Sequence, residues 1–155
     1  MNQKLKDFIR EQKALEFTCM DEGYDFLEEG DTWVQFVNEN GSEDILLRID
    51  DNGILLYFDE WNFSYNNDEE GIEQCIEECT SLFEDRSYLW KADFGGQSFV
   101  SLIRDEPGKF YEMARKGFKA NFNGRMIEIN PELVEQEFIF WDPAMMEPSA
   151  SPYLN

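Results

Sequence analysis

Alternation of apolar and polar residues dominates the stretch 32–65. TWVQFVNE (32–39), SEDILLRIDD (42–51) and GILLYFDEWNFSY (53–65) are rich in β-branched and aromatic residues, and Asn40-Gly41 and Asn52-Gly53 separate them. An Asn-Gly pair between such runs signals a two-residue hairpin, because both turn positions need positive φ. A turn of that length sets the register. Phe36 is then expected opposite Ile45 and Val34 opposite Leu47, with Ile49 opposite Leu56 and Leu47 opposite Phe58 across the second turn. These side chains share one face, the predicted core. The other face carries Trp33, Gln35, Leu46, Arg48, Tyr57 and Asp59, with Arg48 between Trp33 and Tyr57 in a cross-strand row suited to cation–π stacking. Past Asp59-Glu60 the core parity changes. Trp61, Phe63 and Tyr65 continue the second face unless a bulge returns them to the core.

Helical spacing brackets this meander. Residues 3–15 predict a helix with Leu5, Phe8, Ile9 and Leu15 on one side. Residues 16–31 read as an acidic connector with room for a short strand or turn. Residues 68–85 predict a second helix, with Asn67 as N-cap, Glu70 at the third position, and Ile72, Cys75, Ile76, Cys79, Leu82 and Phe83 in one stripe. It is expected to pack on the core face and show Glu69, Glu70, Glu73, Glu77, Glu78 and Glu84 to water.

Further on, SYLWKAD (87–93) and QSFVSLIRD (97–105) flank Gly95-Gly96 as another hairpin. Pro107 suits the first turn of a short helix over 108–116 that Gly117 ends. Asn123-Gly124 joins FKANF to RMIEI, pairing Phe118 with Ile129, Ala120 with Ile127 and Lys119 with Glu128. Residues 133–141 can add a strand. Residues 143–155, with Pro143, Pro148 and Pro152, read as a tail, leaving 1–142 as one domain. The predicted class is α+β: an antiparallel meander and hairpin sheet with amphipathic helices packed on one face.

Charge narrows the function. The 155-residue chain holds 13 basic and 34 acidic residues and no histidine, a formal charge of −21. Residues 16–85 contain 22 carboxylates and a single base, Arg48, so this segment alone carries −21. Such acidity repels phosphate backbones and anionic membranes, so neither nucleic acid nor membrane is an expected partner. A charge this segregated suggests one acidic face that steers a basic protein. Hydrophobic residues make up 42% and aromatics 15% of the chain, too much for a disordered acidic tail. The charged amino terminus predicts no signal peptide, and Cys19, Cys75 and Cys79 show no disulfide-framework spacing. A cytoplasmic protein with reduced thiols is the simplest expectation.

The absence of histidine removes Ser-His-Asp, Cys-His and His-ligated metal chemistry. Cys75 and Cys79 on an apolar stripe read as buried thiols, and no cofactor or metal is expected. Asp50-Asp51 lead into a turn, where Asp serves local hydrogen bonding. Asp59-Glu60 fall mid-strand among aromatics, which leaves a carboxylate-based hydrolase as an alternative. The face composition favours binding. Trp33, Arg48, Tyr57, Asp59, Glu60 and Trp61 combine rings and charges of the kind enriched in interface hot spots. Glu69, Glu73 and Glu77 would add steering. A helix over this face, residues 3–15 or 107–116, would make it ordinary core instead.

The run LLYFDEWNFSY followed by an acidic amphipathic helix resembles a pattern in small bacterial proteins encoded beside polymorphic or contact-dependent toxins. There the strand reads Y-F-x-E-W-H-x-H-[FY]. Tyr57, Phe58, Glu60, Trp61 and Tyr65 match, while Asn62 and Ser64 replace the histidines. The resemblance covers some 30 residues. It implies a small, acidic, cytoplasmic, non-enzymatic immunity protein that binds a cognate toxin domain and blocks it stoichiometrically, and the acidity points to a basic toxin such as a nuclease, whose own site must be cationic. A DNA-mimic inhibitor, with carboxylates imitating phosphate spacing, is the other binding class that the charge admits.

Overall fold

In the computed structural model the described residues are 1–18, 32–41, 43–94, 96–105, 108–142 and 145. They form three helices and ten strands, an α+β fold with antiparallel sheets. The chain divides into two compact units, Met1–Thr80 and Ser81–Asn155.

The first unit is built on a five-stranded sheet: β1 (Leu15–Thr18), β2 (Thr32–Phe36), β3 (Ile45–Ile49), β4 (Ile54–Phe58) and β5 (Trp61–Tyr65), ordered β1-β2-β3-β4-β5. One face is the core. Val34, Phe36, Ile45, Leu47, Ile49, Ile54, Leu56 and Phe58 are all buried there. Helix α1 (Gln3–Glu11) covers it, with Leu5, Phe8 and Ile9 buried and the Phe8 and Phe36 rings 5.7 Å apart. Helix α2 (Glu69–Phe83) lies beside α1, tied to it by Lys4 Nζ at 2.7 Å from Glu73 Oε1, and buries Ile72, Cys75 and Cys79 in this unit. Helices on one face of an antiparallel sheet follow from strict period-two burial in β3 and β4.

The first hairpin register is as the sequence predicts, Phe36↔Ile45 and Val34↔Leu47. Its connection is wider than two residues because side chains stitch it: Asn38 N donates to Asp44 Oδ1 (2.8 Å), Gln35 Nε2 to Asp44 Oδ2 (2.7 Å) and Asn38 Nδ2 to Glu43 O (3.2 Å). The second register differs from expectation by two residues, with Ile49↔Ile54, Leu47↔Leu56 and Ile45↔Phe58. The turn is centred on Asp51-Asn52, since the Asp50 carboxylate accepts from the backbone N–H of Asn52 (2.7 Å) and Gly53 (2.9 Å). Gly53 is needed for another reason: a Cβ there would lie 2.8 Å from the Tyr65 carbonyl oxygen. A two-residue slip preserves parity, so the predicted core face survives.

Two boundaries and one burial also differ. Helix α1 stops at Glu11, Lys13 turns the chain at φ 55°, and Leu15 joins strand β1, 55% exposed rather than on the helix's buried side. The N-cap of α2 is Asp68, whose Oδ1 accepts from Gly71 N at 2.8 Å, while Asn67 donates to Asp50 O. Glu78, expected in water, is buried at 3% exposure. The Cys79 thiol pKa is raised, first by a hydrogen bond with Cys75, then by burial and the Glu78 charge.

The second unit holds strands β6 (Ser87–Phe94), β7 (Gln97–Arg104) and β10 (Glu135–Ile139) in the order β10-β6-β7, the hairpin β8 (Phe118–Phe122)–β9 (Arg125–Ile129), and helix α3 (Lys109–Lys116). All three predicted β8–β9 pairs are present, closed by Asn123 (φ 53°) and Gly124 (φ 81°). The core is aromatic. Trp90 meets Phe110 edge-on at 5.3 Å, and Tyr88 stacks on Phe140 at 4.4 Å. Gln136 locks the layers by accepting from Trp90 Nε1 (2.9 Å) and donating to Ala114 O (3.1 Å). The predicted tail lies outside the described residues apart from Met145.

Candidate functional site

The face of the five-stranded sheet opposite α1 carries the sequence-predicted anchors. Cross-strand pairing puts Leu15, Phe17, Trp33, Gln35, Leu46, Arg48, Leu55 and Tyr57 on it. Phe17 stacks on Trp33 (6.4 Å between centroids, 7° between planes), and Trp33 stacks on Tyr57 (6.0 Å, 26°). Three rings thus form a ladder across β1, β2 and β4. Its centre is more buried than its ends: Trp33 is 9% exposed, whereas Phe17 is 47% exposed and Tyr57 half-buried. The buried Trp33 Nε1–H has no hydrogen-bond acceptor among the described residues. A buried donor without a partner costs about 1–3 kcal/mol, so it marks a place where an acceptor is wanted.

Arg48 lies directly across from Trp33 on one side and Leu55 on the other, and Tyr57 faces Leu46. The register slip therefore replaces the expected Trp33–Arg48–Tyr57 row with direct Trp33–Tyr57 stacking.

The remaining predicted residues fall elsewhere. Asp59 and Glu60 are not a mid-strand pair: they are the turn between β4 and β5, with Asp59 at φ 50° and Phe58 paired to Trp61. That pairing places Trp61, Phe63 and Tyr65 on the core side of the sheet by a turn rather than a bulge. Trp61 is thereby separated from Trp33 and Tyr57. Glu69, Glu73 and Glu77 are exposed along one line of α2, on the helix-covered side, and Glu73 is engaged by Lys4. The single acidic–aromatic surface expected from sequence is thus two surfaces: an aromatic ladder on one sheet face, and carboxylates on the helix that covers the other.

Phe17 is the residue sequence reasoning missed. The Leu15-x-Phe17 alternation was its signal, masked by assigning Leu15 to the helix. Cys19 and the acidic residues 21–31 of the predicted connector lie outside the described residues. Cys75 and Cys79 are buried free thiols. Among the described residues no cluster of acidic or sulfur ligands is placed to hold a metal, and no helix is long and apolar enough to cross a membrane.

No protein-family description, no curated protein and no solved structure matches this chain.

Proposed function

We propose that this protein is a stoichiometric inhibitor that binds another protein through its sheet, an immunity protein whose partner is a basic toxin domain such as a nuclease. The observation that carries the reading is the Phe17–Trp33–Tyr57 ladder with its unsatisfied indole N–H, on the face opposite α1. Rigid rings with a polar handle are efficient anchors, since they bury area with little loss of side-chain freedom. The first unit holds 22 acidic and five basic residues, −17 in formal charge, against −4 for the second. That field accelerates encounter with a cationic partner, and the aromatics hold it.

A DNA mimic would use the Glu69–Glu73–Glu77 line as a phosphate track. The Lys4 ammonium at 2.7 Å from Glu73 puts a cation in the middle of it, which favours the selective binder. Asp59 and Glu60, as the tip of a hairpin, lend little to a hydrolase.

The test is capture of partners from source lysate at low salt and at about 0.5 M salt, where steering is screened within a few ångströms. One basic protein retained at high salt, and lost on Phe17→Ala with Tyr57→Ala, is the expected result. Many basic proteins released together would overturn the specific reading.

A further inference from the structure

We infer that the outer edge of β5 is a docking site for an extended, basic-flanked strand of a partner protein, which adds to the sheet as a sixth strand. This goes beyond the aromatic-face reading and does not depend on it.

Sheet order ends at β5. In the β4–β5 hairpin the pairs Phe58↔Trp61, Leu56↔Phe63 and Ile54↔Tyr65 alternate with Tyr57↔Asn62 and Leu55↔Ser64. The two-residue turn makes the first set the hydrogen-bonded pairs, so the backbone N–H and C=O of Asn62 and Ser64 point outward, away from β4. Asn62, Phe63 and Ser64 are all exposed, Phe63 at 52%. Exposed strand edges are ordinarily blunted by Lys, Pro or a bulge. WNFSY contains no charge and no proline, and all five residues pair without interruption. An aromatic strip, with Trp61 stacked on Phe63 at 6.3 Å and Phe63 tilted against Tyr65 at 5.0 Å, offers apolar side chains for cross-strand contact beside the open backbone.

Charge selects the occupant. Between Arg48 and Arg86 the sequence has no basic residue. Glu60 lies at one end of β5, and Asp68, Glu69 and Glu70 follow it at the other, all exposed. A five-residue strand spans about 17 Å, so an incoming strand with Lys or Arg at both ends meets carboxylates at both. A second copy of this chain does not fit. Antiparallel self-pairing about Phe63 would set Asp59 and Glu60 of one molecule opposite Asn67 and Asn66 of the other, next to Asp68, so carboxylates would gather at both ends with no cation to offset them.

The test uses a blocked peptide of alternating Thr and Val with two lysines at each end. Controls are the same core flanked by glutamates and a copy N-methylated at the edge-facing residues. Binding is followed by amide NMR and hydrogen exchange on the intact protein. Expected are saturable shifts and slowed exchange at the Asn62 and Ser64 amides with the lysine peptide. The N-methylated copy should bind about tenfold or more weakly, the equivalent of one to two backbone hydrogen bonds, and the glutamate peptide more weakly still. Ser64→Pro removes one outward donor while leaving the β4 ladder intact, and should weaken binding similarly. The peptide controls decide the matter even if that variant fails to fold. Phe17→Ala, on the far strand of the sheet, should leave peptide binding unchanged, which separates this site from the aromatic face. No shifts with the lysine peptide at about millimolar concentration, equal binding of the N-methylated copy, or a dimer by light scattering that protects the same two amides would each overturn the proposal.

Discussion

Asp105 is the most informative residue to perturb in the second unit. Helix α3 begins after Gly108, which has φ 87° and no side chain to cap with. Its open N–H groups are taken instead by Asp105, three residues upstream: Oδ2 accepts from Phe110 N at 2.7 Å and Tyr111 N at 3.1 Å. The same oxygen accepts from the Tyr88 hydroxyl at 2.7 Å. Asp105 is 8% exposed and Tyr88 fully buried, so no water readily replaces these bonds. Asp105→Ala therefore removes a cap, worth about 0.5–2 kcal/mol, and orphans a buried hydroxyl, worth about 1–3 kcal/mol. The expected loss is about 2–4 kcal/mol, read as a lower urea midpoint with an unchanged m-value. Asp105→Asn keeps an acceptor without the charge and should lose about 1 kcal/mol. Tyr88→Phe removes the hydroxyl, so in the Asp105→Ala background it should cost about 1 kcal/mol less than in the native chain. A loss under about 0.5 kcal/mol for Asp105→Ala, or strict additivity with Tyr88→Phe, would show that Asp105 neither caps α3 nor acts together with Tyr88.

Three further outcomes are expected. Burial raises the Asp85 carboxyl from 3.8 to about 6, against the hydrogen bond from Asp142 N, with the Asp142 charge adding to the rise. A raised carboxyl pKa gives stability that is complete below 3.8 and lost as pH rises through about 6. Asp85→Asn should flatten the stability–pH curve across that window, and carboxyl NMR should titrate Asp85 near the upper value. Gly71→Ala, in a helix where alanine is ordinarily better by about 1 kcal/mol, should instead destabilise, because its Cβ would collide with the Asn66 carbonyl oxygen. A gain in melting temperature would contradict that. In a Cys19→Ser background, Cys75 and Cys79 should resist a thiol reagent at pH 8 until the chain unfolds, both being buried and Cys79 raised in pKa. Reaction at the native rate of a free thiol would show the helix stripe to be open.

Local patterning sufficed where each decision is made by neighbours. Period-two alternation separated core from surface along β3 and β4, because a strand places successive side chains on opposite faces whatever lies beyond it. Asn123-Gly124 placed the β8–β9 register, since its two positive φ angles match the twist of the flanking strands. The β4–β5 turn was legible as well, though misread: Ile54-x-Leu56-x-Phe58 and Trp61-x-Phe63-x-Tyr65 switch parity across two acidic residues, which is the mark of a two-residue turn. Tertiary structure decided the rest. Asn52-Gly53 looked like the turn it is not, because Gly53 answers the backbone of Tyr65 and Asp50 draws the turn one residue back. Asp105 is an unremarkable acid in sequence, and only the fold brings Tyr88 and the start of α3 to it. Sequence also supplied every aromatic and acidic group of the expected binding surface. Which of them share a face depends on where the chain reverses and which side of the sheet the helices cover. Those choices are made by packing across the sheet, and they set Trp33 and Tyr57 together and Trp61 and the α2 carboxylates apart.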